Sequence, residues 1–239
     1  MKNVNKASMK TKLVIGAMVF CAAFVFIGDE AQARQRHKGQ QEQKQSVAGD
    51  FAYYVLALSW SPSFCATQSV EAQPEQCGAG RRFSFVVHGL WPQYDKGWPQ
   101  DCATSQPRIV AADLVFDSLD MMPSKKLIQH EWEKHGTCSG LDQAKYFEVA
   151  RTAKDSIAIP AQYQAPTKYV MTSPMDLKRD FLAVNPQLDE RMIALTCKDR
   201  TLHEVRICMD KNLTPRACGL NERRQCRSEK IVLPPVRGG

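Results

Sequence analysis

Apolar positions in this chain repeat with three different rhythms. The first is continuous: Leu13 to Ile27 is almost wholly apolar, behind a basic head of Lys2, Lys6, Lys10 and Lys12 and ahead of Ala31-Gln32-Ala33. A run of about fifteen apolar residues is short of the roughly 20 that span a bilayer. With small residues at the cleavage positions it fits a secretory signal peptide better than a membrane anchor. Residues 1–33 are therefore expected to be signal peptide. Residues 34–49 are rich in Gln and Lys with almost no apolar side chain, and are expected to form a disordered lead-in. The folded domain is expected over residues 50–239.

The second rhythm is that of strands. Phe51 to Trp60 is dense in aromatic and aliphatic residues and predicts a buried strand that stops at Ser61-Pro62. Phe83 to Val87 predicts a second strand, with His88-Gly89 at its end on the rim of a sheet, where glycine allows close approach. Residues 191–197 and 202–208 alternate as two late strands, joined as a hairpin around 198–201. The third rhythm is helical. It covers 109–119, then 124–135 (opened by Pro123, stopped by Gly136), then 142–156, then a segment from Ser173-Pro174 to Leu182 that Pro186 ends. Helices in mid-chain between strands at both ends predict an α+β fold: one domain with an antiparallel sheet packed against several helices.

Nine cysteines sharpen this picture. Cys21 lies in the leader. Cys65, Cys77, Cys102, Cys138, Cys197, Cys208, Cys218 and Cys226 remain, an even set that in an exported chain predicts four disulfides. No C-x-x-C pair exists, which argues against structural zinc. Eight cysteines allow about 105 pairings, so connectivity stays open. Cys65 and Cys77 pin a Gln/Pro/Gly-rich loop, Cys138 can reach Cys102, Cys208 and Cys218 can close a local loop around Asn-Leu-Thr-Pro, and Cys197 and Cys226 would then bracket it. The formal net charge is +7, or about +5 without the four leader lysines, Asp29 and Glu30. That permits a polyanionic partner without requiring one. Nothing in the pattern calls for a partner subunit or, after leader removal, a membrane. The chain is expected to act as a monomer in a periplasm or outside the cell.

Three of the five histidines fall in two short aromatic-flanked segments. One is Phe85-Val-Val-His88-Gly-Leu-Trp91-Pro-Gln93; the other is His130-Glu131-Trp132-Glu133-Lys134-His135-Gly136-Thr137-Cys138. On a helix His130 lies beside Lys134, and Glu131 beside His135. A solvated face of ion pairs is the plain alternative, but it requires no such concentration of histidine. The zinc-peptidase pattern needs histidines four apart. Here they are five apart, about 140° around the helix, so one ion cannot bind both with ordinary geometry. Two imidazoles, a carboxylate and an ammonium without a metal suit RNA cleavage. One imidazole takes the proton of the ribose 2′-hydroxyl as it attacks phosphorus, the other protonates the departing 5′ oxygen, and a fixed cation stabilises the phosphorane. Trp91 offers a face for an unpaired base.

Val87-His88-Gly89-Leu90-Trp91-Pro92 and the 130–138 segment resemble the two active-site segments of the ribonuclease T2 family, and Leu58 to Cys65 resembles that family's first strand and first cysteine. The resemblance spans roughly residues 50–226. It implies an α+β fold and a metal-independent endoribonuclease of low base specificity, cutting single-stranded RNA through 2′,3′-cyclic phosphates to 3′-phosphate ends. It implies no cofactor. Residue by residue it makes His135 the general base and His88 the general acid, exchanging roles in the second step. Glu131 and Lys134 stabilise the transition state, His130 binds phosphate and Trp91 lines a base site. Many members carry an acidic residue after Trp-Pro where it helps read a base. This chain has Gln93, so base preference cannot be copied from relatives. Trp98, with Tyr94, is placed near the base site, with stacking and structural packing both open.

Overall fold

A computed structural model of the chain describes residues 46–223 and 226–236. The expected signal peptide, residues 1–33, and residues 34–45 of the expected lead-in lie outside the described residues. The fold takes in Ser46–Gly49, four residues ahead of Asp50: the Gly49 N–H donates to the Cys138 carbonyl at 2.9 Å.

The strands are β1 (Tyr53–Trp60), β2 (Phe85–Gln93), β3 (Val170–Thr172), β4 (Ile193–Lys198), β5 (Thr201–Met209) and β6 (Ile231–Leu233). The α-helices are α1 (Ser61–Cys65), α2 (Pro74–Cys77), α3 (Ala112–Ser118), α4 (Lys125–Lys134), α5 (Gln143–Asp155) and α6 (Pro174–Val184). The sheet runs β2-β1-β5-β6-β3, with β4 also on β5. All pairings are antiparallel except a single parallel contact, Thr201 with Val232, so the sheet is mixed rather than purely antiparallel. The α+β class stands. The short strands β3 and β6 have too few residues to show a period of two, and periodicity alone missed them.

Helix starts follow their capping residues. Ser124, Asp142 and Ser173 each accept a backbone N–H from the first turn of α4, α5 and α6, satisfying donors that have no partner inside the helix. The core lies where these helices meet one face of the sheet: Leu56, Leu58, Val87, Leu90, Val205 and Ile207 from strands against Ile128, Trp132, Tyr146 and Phe181 from helices. The outer edge of β2 is closed rather than bare. The Val87 N–H donates to the Met121 carbonyl at 2.9 Å, and the Tyr146 hydroxyl donates to the Leu90 carbonyl at 3.0 Å. That removes a template for edge-to-edge pairing.

One sequence expectation changes. β2 does not end at Val87; it runs on to Gln93. Leu58 pairs with Val87 and Ala57 with Gly89, so His88 is an extra residue without a β1 partner, a β-bulge. His88 stands in mid-strand, not at a rim.

Four disulfides form: Cys65–Cys77, Cys102–Cys138, Cys197–Cys226 and Cys208–Cys218. Cys102–Cys138 closes the longest interval, 36 residues, and ties the loop after β2 to the end of α4. Replacing both cysteines by alanine should lower unfolding free energy by about 2–5 kcal/mol in a denaturant titration. A loss well under 1 kcal/mol would show that other contacts hold that loop.

Candidate active site

The bulge and the sheet register place the site. Side chains alternate across a strand, and directly paired residues share a face. Val55, Ala57 and Ser59 on β1 therefore share a face with Trp91 and Gly89 on β2 and with Cys208, Arg206 and Glu204 on β5. Thr196 of β4 joins them opposite Glu204. His88, freed from the alternation, turns onto this same face, where its Nδ1 meets Glu204 Oε1 at 2.6 Å.

Glu131 approaches from α4. It is 1% exposed, on the same stripe as buried Ile128 and Trp132. Its Oε2 accepts from Trp91 Nε1–H at 2.7 Å, and its Oε1 lies 3.7 Å from His88 Nε2. This approach requires glycine at 89, because a Cβ there would collide with the Glu131 carboxylate and the Trp91 indole nitrogen. His135 is not the last helical residue. It is the C-cap, leaving the helix at φ −123° as the chain enters a 3₁₀ turn at Gly136–Ser139. Its ring packs 5.5 Å from that of Trp91, and Trp91 lies 5.1 Å from His88.

The environments push these groups apart. Burial raises Glu131 from 4.5 to about 7, against the lowering effects of the His88 charge and the Trp91 hydrogen bond. Burial lowers His135 from 6.5 to about 3, helped by the charges of His130, His88 and Lys134. Burial also pulls His88 down, but the Glu204 hydrogen bond and the Glu131 and Glu204 charges outweigh it, and His88 ends above its ordinary 6.5. Glu204 falls to about 2, because the His88 hydrogen bond and Arg206 overcome its own desolvation. These directions dispose His88 to hold a proton, His135 to lack one, and Glu131, buried beside His88, to take one up as pH falls through about 7. Groups with pKa values driven apart in this way mark acid and base roles.

The remaining sequence candidates line the approach. A cleft of about 780 Å³ is bordered by Trp91, Gln93, Trp98, His130, Lys134 and His135 among others. A second cleft of about 380 Å³ lies against Ser59, Phe64, His88 and His130. His130 is exposed at the boundary and borders both. Lys134 is half-exposed and pairs with Asp101 at 2.7 Å. Gln93 is buried at the floor, while Trp98 stands 53% exposed at the lip. Among the described residues no group of three His, Cys, Asp or Glu is arranged to hold a metal ion.

Sequence reasoning missed Glu204, Arg206 and Glu222. Arg206 donates to Glu204 from Nε at 2.8 Å and to Glu222 from one terminal nitrogen at 2.9 Å, and its guanidinium lies 5.0 Å from the centre of the Trp91 ring. The available signal was a charged pair two apart on a strand bounded by cysteine, which has the same pattern as a solvent-facing edge.

A family model described as the Ribonuclease T2 family matches residues 51–218. A ribonuclease of Aeromonas hydrophila is 40% identical over 133 residues, 56% of this chain and 59% of that protein. A probable ribonuclease of Haemophilus influenzae is 34% identical over 150 residues, 58% of this chain and 53% of the relative. The chain thus spans a little over half the length of these curated relatives. Among solved structures, an RNase-related protein from Calystegia sepium superposes with a TM-score of 0.62 at 22% identity, over 78% of this chain and 98% of that one. It shares the fold. On the family match over most of the folded region, this chain belongs to the ribonuclease T2 family.

Proposed function

We propose that this chain is a metal-independent endoribonuclease that cuts single-stranded RNA by transphosphorylation, in a periplasm or outside the cell. The observation that carries this reading is the clustering of His88, Glu131 and His135 about the Trp91 ring, with Glu131 bonded to the indole and 3.7 Å from His88 Nε2; the opposed pKa directions of the two imidazoles agree with it. His135 is the base. Its Nδ1 is buried without a partner among the described residues, which leaves Nε2 for the chemistry. That nitrogen takes the 2′-hydroxyl proton as the oxygen attacks phosphorus. His88 is the acid. Glu204 engages its Nδ1, and Nε2 delivers a proton to the departing 5′ oxygen. Glu131 holds its proton at Oε1 while Oε2 accepts from Trp91, and it donates to a non-bridging oxygen of the phosphorane. Lys134 supplies positive charge at the rim, where electrostatic stabilisation acts on the developing anion, and His130 offers a hydrogen bond to phosphate there. In the second step the roles reverse: His88 activates water, His135 protonates the 2′ oxygen, and a 3′-phosphate remains.

This polarity orients the RNA. The nucleoside bearing the attacking hydroxyl occupies the cleft beside His135, and the leaving nucleoside occupies the cleft beside His88. Both clefts are open, which favours low base specificity. Four disulfides suit an oxidising compartment.

In EDTA the protein should degrade RNA to cyclic-phosphate ends and leave DNA intact, since DNA lacks the nucleophile. Loss of activity in EDTA would contradict the metal-free mechanism. His88→Ala and His135→Ala should each lower turnover by about 10²–10⁴, and near-normal turnover of His135→Ala would overturn its assignment. The pH dependence has a definite sign. The acid and the Glu131 carboxyl must both be protonated, so kcat/KM should fall as pH rises through about 7, where Glu131 ionises, and through the raised pKa of His88. The base must be neutral, so the acidic limb should lie far below 6.5, towards about 3. Glu204→Gln removes the anion that holds the His88 proton, and the alkaline limb should move to lower pH. An unmoved limb would separate Glu204 from the acid.

A further inference from the structure

We infer that Asp101 is a positioning residue for Lys134: it holds the lysine ammonium at the cleft and leaves two N–H donors for the phosphate being cut. The inference rests on the ribonuclease reading above and on the way one loop residue grips the last residue of α4 at two points.

The first point is backbone. Lys134 closes α4, so its carbonyl has no partner inside the helix. The Asp101 N–H donates to that carbonyl at 3.1 Å. The second point is the charged tip, where Lys134 Nζ donates to Asp101 Oδ2 at 2.7 Å. Asp101 is itself secured on both sides. Its neighbour Cys102 is joined to Cys138 in the 3₁₀ turn after α4, and the Gln100 N–H donates to Ser46 Oγ at 3.4 Å. The Asp101 backbone takes φ +52°, a left-handed conformation that residues other than glycine seldom adopt. Backbone held in such a region gathers at functional sites.

An exposed ion pair alone contributes little, in part because two long side chains must be ordered to form it. Here the aspartate is ordered already, and only the lysine gives up freedom. That matters more for the reaction than for the fold. A lysine has a flexible four-carbon stem, so an untethered ammonium is spread over many positions. The phosphorane is stabilised by charge that is in place when it forms. An ammonium has three donors, of which Asp101 takes one. Lys134 and His135 border the same cleft, and His135 feels both members of the pair: the lysine charge lowers its pKa and the aspartate charge raises it. The pair therefore stands beside the base. A carboxylate so placed opposes the approach of phosphate, so its benefit must appear in turnover rather than in binding.

The test measures kcat and KM on UpA for the wild type, Asp101→Gly, Lys134→Met and the double variant. Glycine suits φ +52° and keeps the backbone bond to Lys134 and the Cys102–Cys138 disulfide, so the carboxylate alone is lost. Asp101→Gly should lower kcat about tenfold, a part of the roughly 10²–10³ that loss of an oxyanion donor costs, with KM unchanged or reduced. In the Lys134→Met background the same change should move kcat by less than about twofold. Asp101→Asn tolerates the left-handed turn and keeps an acceptor for the ammonium, so it should recover most of the loss, and it guards against a glycine variant that fails to fold. A kcat unchanged or raised in Asp101→Gly, a loss carried by KM alone, an equal loss with and without Lys134, or no recovery in Asp101→Asn would overturn the inference. Failure of the wild type to cleave UpA would instead remove the ribonuclease reading beneath it.

Discussion

Glu131 occupies a position on α4 where the helix periodicity calls for an apolar side chain, between Ile128 and Trp132. An ionised carboxylate there would be costly, since burial of a charge is tolerated only with pairing and hydrogen bonds. The surrounding structure meets this constraint in three ways. The indole of Trp91 donates to one oxygen, the glycine at 89 opens the space, and the pKa rises to about 7 so that the group can hold a proton. Much of the site's arrangement follows. Trp91 is held against α4 by that bond, and His88 and His135 both pack against its ring.

The opposite wall is built from β5. Glu204 and Arg206 stand two apart on a strand paired on both sides; Glu204 is buried, Arg206 borders the larger cleft, and Glu222 balances the second charge of the row. Alternating signs along His88, Glu204, Arg206 and Glu222 let four titratable groups share a small volume. Removing any one partner leaves an uncompensated charge, which is the expensive case. Arg206 has a further use, because its guanidinium lies over Trp91 and so couples this row to the tryptophan that holds Glu131.

Much of this was legible in the sequence, and the parts that were not share a cause. His88, Glu131, Lys134 and His135 stand in two compact motifs, and the helix that carries Glu131 and Lys134 announces itself through Pro123 and Gly136. The ends were less clear: the helix stops one residue short of His135, whose backbone is no longer helical. Glu204 and Arg206 were hidden because alternation along Leu202-His-Glu-Val-Arg-Ile looks the same whether the polar face meets water or another charged group. Asn221 was invisible for a different reason. It lies in a 3₁₀ turn far along the chain, and its partners are Gly97 and Gln93, more than a hundred residues earlier. Local patterns report which face a residue takes. They do not report what waits across the space.

The bulge at His88 has a consequence for how such a site can vary. It separates β2 into two stretches whose alternations are out of phase, Phe85–Val87 before it and Gly89–Gln93 after it. The later stretch carries Gly89, Trp91 and Gln93 along one face: the clearance for Glu131, the indole that bonds it, and a buried amide bordering the larger cleft. A point change at Gln93 lies four residues from Gly89 and leaves the anchoring of His88 untouched. Loss of a single residue from the strand would instead restore a continuous alternation and carry one stretch to the wrong face. The lining of the cleft is therefore open to substitution at the end of the strand, while the strand's length is fixed by the need to hold His88 and Gly89 on one face.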